Sequence, residues 1–466
     1  MKNMYFERLN VLHGQPFSIY LPLQVQPIVN GDNGEPRDIE AKDVENLHVY
    51  LRNVGETGRG KSIRFDTLYN YVVVKVPAQM RKGEMSIVIV GNYGQVCLRA
   101  EIVANIGNRG GLGGIIRPYV SPVVGNCGTI ADIAPLPLCF TNNGKSPVGL
   151  GLNIRNDNGD GWKPNLEISL NGVDWVNFDE KYGFKNPEEQ NFPVNLAVGM
   201  SVYFRGMNPD GFNRSNDDYG INMFVNFVWS NSDAAVSVDG DVASLINYEK
   251  RVSLPQDVAN FTYLFGRYDS DIEAHSSLVD ASGLVTIYTS YYSYCYMFYG
   301  CTGLVTAPAL PATTLASSCY NSMFSRCTSL ATAPALPATT LASSCYNSMF
   351  YGCTSLATAP ALPATTLADY CYSSMFYGCT SLATAPALPA TTLASSCYSS
   401  MFSGCTSLLF IEMLAVALSP NNAVTNWVKD VPTGKVGTFV KNAAATWTTT
   451  GNSGVPTDWG IIYKQV

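Results

Sequence analysis

The chain has 466 residues, room for about three or four domains. Only 14% of residues are charged, 46% are hydrophobic, and Gly and Pro number 40 and 26, a balance that argues against long disorder and against an all-helical bundle. The net charge is −7 and no Lys/Arg run occurs, so the electrostatic footprint of a nucleic-acid binder is missing and no nucleic-acid partner is expected.

At the N-terminus, MKNMYFERLNVLHG breaks every apolar run with polar or charged residues, so no secretory h-region is expected there. FSIYLPLQV, LHVYLRNV, YNYVVVKV, MSIVIVGNY and VCLRAEIV then alternate in polarity, are rich in β-branched and aromatic residues, and are separated by Gly/Asn/Asp turns. They predict a β-sandwich over residues 1–107. GNRGGLGGIIRPYVSPVVG, at 107–125, has no periodicity and reads as a Gly/Pro-rich linker over 108–128. It lacks the GK[ST] ending and the following helix of a phosphate loop.

A second β-sandwich is predicted over 129–250. Within it, Asn156, Asn158, Asp160 and Glu167, with Gly161 at the sixth place, approach a calcium-loop pattern. Asn156 in the leading position, Pro164 at position nine and strand-like flanks favour a hairpin turn instead. No metal site and no cofactor are expected. His13, His48 and His275 are scattered, and no Cys-His or GxSxG arrangement nominates a catalytic residue.

The most informative feature is an internal repeat over 251–408. Cys301, Cys327, Cys353, Cys379 and Cys405 recur every 26 residues, as do Cys319, Cys345, Cys371 and Cys397. HSSLVDASGL at 275–284 is a degenerate earlier copy of CTGLVTAPAL at 301–310. In the unit beginning at Cys327, residues Leu341, Ala342, Cys345, Tyr346, Met349, Phe350 and Cys353 fall on one arc at 100° per residue. That predicts an amphipathic helix of about three turns, capped by Thr339 or Thr340. LATAPALP carries two prolines per unit and predicts a short extended segment. One helix and one short strand per unit describe a solenoid coil, giving a mainly β chain with an α/β solenoid. Cysteines on neighbouring helices would be roughly 8–10 Å apart, beyond disulfide reach, and read as small buried hydrophobes. Pairs between the two series, such as Cys327 with Cys345, stay open.

The positions that differ between units fall on the opposite arc, and Tyr299, Tyr351, Tyr370 and Tyr377 are predicted to sit there on the solvent side. Exposed rings of this kind stack on sugars or anchor protein contacts; packing against a neighbouring domain or subunit is the plainer account. After the array, LLFIEMLAVAL at 408–418 replaces the Ala-Pro segment, as where a last coil meets a cap over 409–466. Interrupted by Glu412, that stretch falls short of the ~20 residues that span a bilayer, so no membrane insertion is expected.

MFYGCTSLATAPALPATTL, repeated with CYSSMF, resembles the leucine-rich repeats of the BspA type found in surface proteins of gut Bacteroidetes and, in this Ala-Pro-rich form, in structural proteins of their crAss-like phages. GTFVKNAAATWTTTGNSGVPTDWGIIY at 437–463 is similar to the segment that closes such arrays. LEISLNGVDWVNF at 166–178 and VGMSVYFRGMN at 198–208 resemble the β-module that precedes them, and FERLNVLHGQPFSIYLPLQV at 6–25 is similar to attachment modules of phage fibre and baseplate proteins. The resemblance implies a non-enzymatic virion protein, a head or tail fibre. Its N-terminal domain would join capsid or tail proteins, and its repeats would contact a host-surface glycan or protein. It implies a homo-oligomer, most often a trimer in such fibres. A bacterial surface adhesin, which would need an export signal, and a polysaccharide depolymerase are the alternatives.

Overall fold

The computed structural model describes the strands of residues 9–107 by backbone alone, and from residue 135 onward backbone and side chains. Outside the described residues lie the rest of 1–134 and, beyond it, several short stretches: 157–160, 185–191, 214–222, 231–233, 250–253, 256–257, 267–276, 287–288 and 435–436, with a few single positions. The linker reading and two of the histidines, His13 and His275, fall there. The chain divides into two compact units, chiefly at Leu136/Pro137.

The first unit holds β1 (Leu9–Leu12), β2 (Phe17–Pro22), β3 (Gln24–Val25), β4 (Ile28–Val29), β5 (Asp32–Asn33), β6 (Arg37–Asp38), β7 (Glu45–Asn53), β8 (Lys61–Ser62), β9 (Phe65–Leu68), β10 (Tyr71–Val76), β11 (Gly83–Tyr93) and β12 (Val96–Gly107). A five-stranded sheet runs β1-β12-β11-β7-β8 and a three-stranded one β2-β10-β9, with β3-β6 and β4-β5 as small ribbons. β11 and β12 form its longest antiparallel pair, from Gly83↔Ile106 to Tyr93↔Val96.

The second unit begins with β13 (Leu138–Asn142), β14 (Val148–Asn156), β15 (Leu166–Ser169), β16 (Val176–Asn177), the one-turn helix α1 (Phe178–Lys181), β17 (Val194–Leu196), β18 (Ser201–Gly206), β19 (Met223–Trp229) and β20 (Val236–Asp241). β21 (Leu278–Val285) completes a six-stranded sheet, β16-β15-β18-β13-β20-β21, and a three-stranded sheet runs β17-β14-β19. The two pack through rings: Phe227 on β19 lies 4.7 Å from Phe140 on β13 and 4.9 Å from Phe204 on β18. β14 and β15 belong to different sheets, so the segment after Asn156 crosses between sheets and is not a hairpin; its residues 157–160 lie outside the described set.

β21 is the degenerate first repeat. It pairs in parallel with β20, from Val236↔Leu278 to Asp241↔Val285, and its Asp280 bridges onward to Thr306. The sheet edge thus templates the repeats. Further parallel bridges join Thr314 to Thr340, Thr332 to Thr358, Thr340 to Thr366 and Thr384 to Phe410. The ladder ends in β22 (Phe410–Met413), β23 (Thr438–Asn442) and β24 (Gly460–Lys464), all parallel. One hydrophobic cluster runs without a break from Leu138 to Trp459.

The expected helix is absent: among the described residues of 251–408 none is helical, so the α part of the predicted α/β architecture is corrected to a mainly β fold. LASSCYNSMFYGC instead forms a ribbon of successive turns. Alternate N–H groups close turns within the unit, Cys345 to Ala342 O (3.3 Å), Asn347 to Ser344 O (3.2 Å), Met349 to Tyr346 O (3.3 Å) and Tyr351 to Ser348 O (3.1 Å). The N–H groups between them reach the next unit, Tyr346 to Cys371 O (3.0 Å), Ser348 to Ser373 O (2.8 Å), Phe350 to Met375 O (2.9 Å) and Gly352 to Tyr377 O (2.7 Å). Every backbone N–H from Ser344 to Cys353 is used, as a buried backbone requires. An α-helix would spend all of them internally and leave nothing to join the units.

The ribbon depends on left-handed backbone at every fourth residue: Ser344, Ser348 and Gly352 have φ of 55°, 53° and 69°, and Ser396, Ser400 and Gly404 have 51°, 54° and 76°. Between these positions, Cys345, Tyr346, Met349, Phe350 and Cys353 point into the core, all at most 1% exposed. Each residue type stacks on its own kind. Phe324, Phe350, Phe376 and Phe402 are 5.7 Å apart, and Tyr320, Tyr346 and Tyr372 are 5.9 Å apart. Trp427, in the place of Met401 one unit later, ends both columns at 6.5 Å from Tyr398 and 6.0 Å from Phe402.

Candidate functional site

Hydrogen-bonded units rise by about 5 Å, the spacing of paired strands, in place of the 8–10 Å of packed helices. Equivalent side chains are correspondingly close. Among the described residues the cysteines are nonetheless free and buried, apart from the half-buried Cys139 on β13. In one series the thiol donates to a Phe carbonyl 29 residues back: Cys327 to Phe298 O, Cys353 to Phe324 O and Cys379 to Phe350 O at 3.1 Å, and Cys405 to Phe376 O at 3.0 Å. Burial pushes the Cys345, Cys353 and Cys405 thiols up to about 12 and Cys397 to about 11. A thiolate is the nucleophile and metal ligand, so these cysteines are structural. Among the described residues no group of three or more His, Cys, Asp or Glu is placed to hold a metal.

The outer side of the turn ribbon is where the units differ. One column reads Tyr299, Ser325, Tyr351, Tyr377, Ser403 at 26-residue steps. Tyr351 and Tyr377 stack face to face at 4.6 Å with 2° between their planes. Ser325 and Ser403 hold the flanking places and are buried, so each ring of the pair is covered by a ring on one face only. Tyr299 lies apart, edge-on to Tyr296 at 5.6 Å and to Tyr263 at 6.3 Å, while Tyr263 and Tyr296 stack at 4.8 Å. Tyr370 belongs to a different column, with φ of 57°, and is 45% exposed. The four predicted tyrosines therefore do not form one exposed row. Tyr351 and Tyr377 pair, Tyr299 joins a second cluster, only Tyr370 is exposed, and the other three are half-buried because stacking between units covers them.

One residue of this face, Arg326, was not singled out from the sequence, whereas Asp369 is among the positions that differ between units. Residues 301–408 contain just two charges, Arg326 and Asp369. Arg326 occupies the position held by Gly300, Gly352, Gly378 and Gly404 in the other units, with φ of 62°. Its guanidinium lies 5.6 Å from the centre of the Tyr299 ring, and its backbone N–H donates to the Tyr351 carbonyl at 2.6 Å. The Asp369 carboxylate accepts the Ser395 N–H at 3.0 Å. A lone charge replacing a repeated glycine was the signal that could have found Arg326.

Comparison with family models, with curated proteins and with solved structures finds no match for this chain. Among the described residues no helix is long and apolar enough to cross a membrane.

Proposed function

We propose that this chain is a non-enzymatic structural protein of a phage particle, a head or tail fibre or an associated adhesin, located on the virion surface. Its repeats form a leucine-rich-repeat solenoid of the BspA type displayed toward the host, and its N-terminal unit joins capsid or tail proteins. The observation that carries this reading is the division of labour within each unit: core columns that are identical from unit to unit, and an outer turn face where Tyr, Ser, Gly, Arg and Asp alternate. A rigid stack with a varied outer face is suited to contacting a host-surface glycan or protein. Homo-oligomerisation is supported by β24, which among the described residues has a strand neighbour on one side only and exposes Ile461, Ile462 and Tyr463 at 41%, 55% and 62%.

The test is peptide mass spectrometry of purified phage particles from a gut Bacteroidetes host, with copy number measured against the major capsid protein. A number that scales with the capsid lattice places the protein on the head, and a small fixed number places it on the tail. Absence from particles overturns the virion reading.

A further inference from the structure

Resting on the adhesion reading above, we propose that the turn face between Arg326 and Tyr351 is a binding site for a carboxylated polysaccharide, with one uronate ring against the open face of Tyr351 and its carboxylate on the Arg326 guanidinium. Three observations converge. Arg326 adopts a left-handed backbone that glycine adopts freely and that four sister units fill with glycine, so the stack itself has no need of an arginine there. Its side chain is exposed and makes no ion pair among the described residues, and its guanidinium lies 5.6 Å from the centre of the Tyr299 ring. The guanidinium therefore keeps its planar fork of donors for an incoming carboxylate, which it matches in a bidentate geometry.

The second observation is the aromatic surface. Tyr351 is stacked by Tyr377 on one face at 4.6 Å, and the place on its other side in the column belongs to Ser325, a small buried side chain with no ring to cover that face. A pyranose presents a face of C–H groups that packs on such a ring, as apolar bodies with polar edges do. The third is proximity. The Arg326 N–H donates to the Tyr351 carbonyl, so the two residues sit on adjacent units one step of the ladder apart. Within residues 301–408 the one other charge is Asp369, so no carboxylate of these units pairs with the arginine through a run of acidic residues.

The test uses the full chain and isothermal titration calorimetry with oligogalacturonate, and with a neutral maltooligosaccharide of equal length. Arg326→Gly and Tyr351→Ser each install the residue that sister units already carry, so the fold is expected to persist, and an unchanged melting temperature checks it. Saturable binding of oligogalacturonate is expected, at least tenfold weaker in each variant, weakened by salt, and at least tenfold stronger than for the neutral oligomer. Binding within twofold of the parent in both variants, equal binding of the neutral oligomer, or no binding of oligogalacturonate overturns the site. Adhesion of the fluorescently labelled chain to host cells separates the two levels. Adhesion that survives both variants sinks this site and leaves the adhesion reading standing, whereas a parent chain that binds neither cells nor saccharide sinks both.

Discussion

Replacing Ser344, Ser374 and Ser400 by glycine separates a turn ribbon from a helix by the sign of the effect. All three serines have left-handed backbone, with φ of 55°, 53° and 54°, and among the described residues none of their hydroxyls is hydrogen-bonded. Left-handed backbone costs an L-residue roughly 1–2 kcal/mol, and glycine escapes this while losing about 0.5–1 kcal/mol more chain entropy on folding. The net gain is about 0.5–1 kcal/mol per site, hence about 2 kcal/mol for the triple variant, a rise of a few degrees in melting temperature. In a helix the same changes would cost about 0.5 kcal/mol each, and Ser→Ala would gain about as much. In the ribbon alanine meets the same backbone penalty as serine, so the triple alanine variant gains nothing. Thermal unfolding of the full chain, followed by circular dichroism, reads both variants. A glycine triple that melts lower together with an alanine triple that melts higher refutes the ribbon.

Two further outcomes rest on the core columns. Burial raises the thiols of Cys345, Cys353 and Cys405 to about 12 and that of Cys397 to about 11, above the ~8.5 of an unfolded cysteine. The unfolded chain therefore loses these protons first as pH rises. The associated stability is complete below about pH 8.5 and falls above it, by about 2 kcal/mol per thiol at pH 10. The urea midpoint should drop sharply between pH 8 and pH 10, and a flat profile counts against buried thiols. Trp427→Ala removes a fully buried ring that ends the Tyr and Phe columns and whose indole N–H donates to Gly454 O at 2.9 Å. It should cost about 3–5 kcal/mol in thermal unfolding, with Trp427→Met, the residue of the other units, costing visibly less.

The strands of the first unit were legible because a period of two survives in the sequence: YVVVKV and MSIVIV are β10 and the middle of β11. The 26-residue repeat and its inward residues were legible for the same reason. The local conformation was not. Cys345, Tyr346, Met349, Phe350 and Cys353 repeat at four residues, and over eight residues a 90° step and the helical 100° step diverge by about 80°, less than the width of an apolar face. The information lay on the polar side, in Ser344, Ser348 and Gly352, where small residues recur at the same interval as left-handed backbone. The tyrosine site was half legible in consequence. That Tyr351 and Tyr377 vary toward the outside follows from comparing units, but their face-to-face contact needs the ~5 Å rise of a hydrogen-bonded ladder, which a stack of helices would not supply. The parallel pairing of β20 with β21 joins segments 42 residues apart, Val236↔Leu278, and no local pattern encodes it.

Near-identical units raise a question of register that the ends of the stack answer. Each inter-unit bond runs from one residue to its neighbour's equivalent about 25 residues on, so the bonds around Phe350 cannot distinguish their proper partner from the same segment one unit further. What distinguishes them is the short connection within each unit and two unlike ends: β21 accepts only β20 on one side, and Trp427 with β22 to β24 fits only the last copy. With register held at the ends and by backbone bonds, the outer residues carry little of the folding energy. The column Tyr299, Ser325, Tyr351, Tyr377, Ser403 changes residue type from unit to unit while the N–H donors of Tyr299, Ser325, Tyr351, Tyr377 and Ser403 all close the same intra-unit turn at 2.9 to 3.2 Å. A surface on which side chains exchange without disturbing the scaffold beneath varies independently of the fold, and the one arginine among glycines is such an exchange.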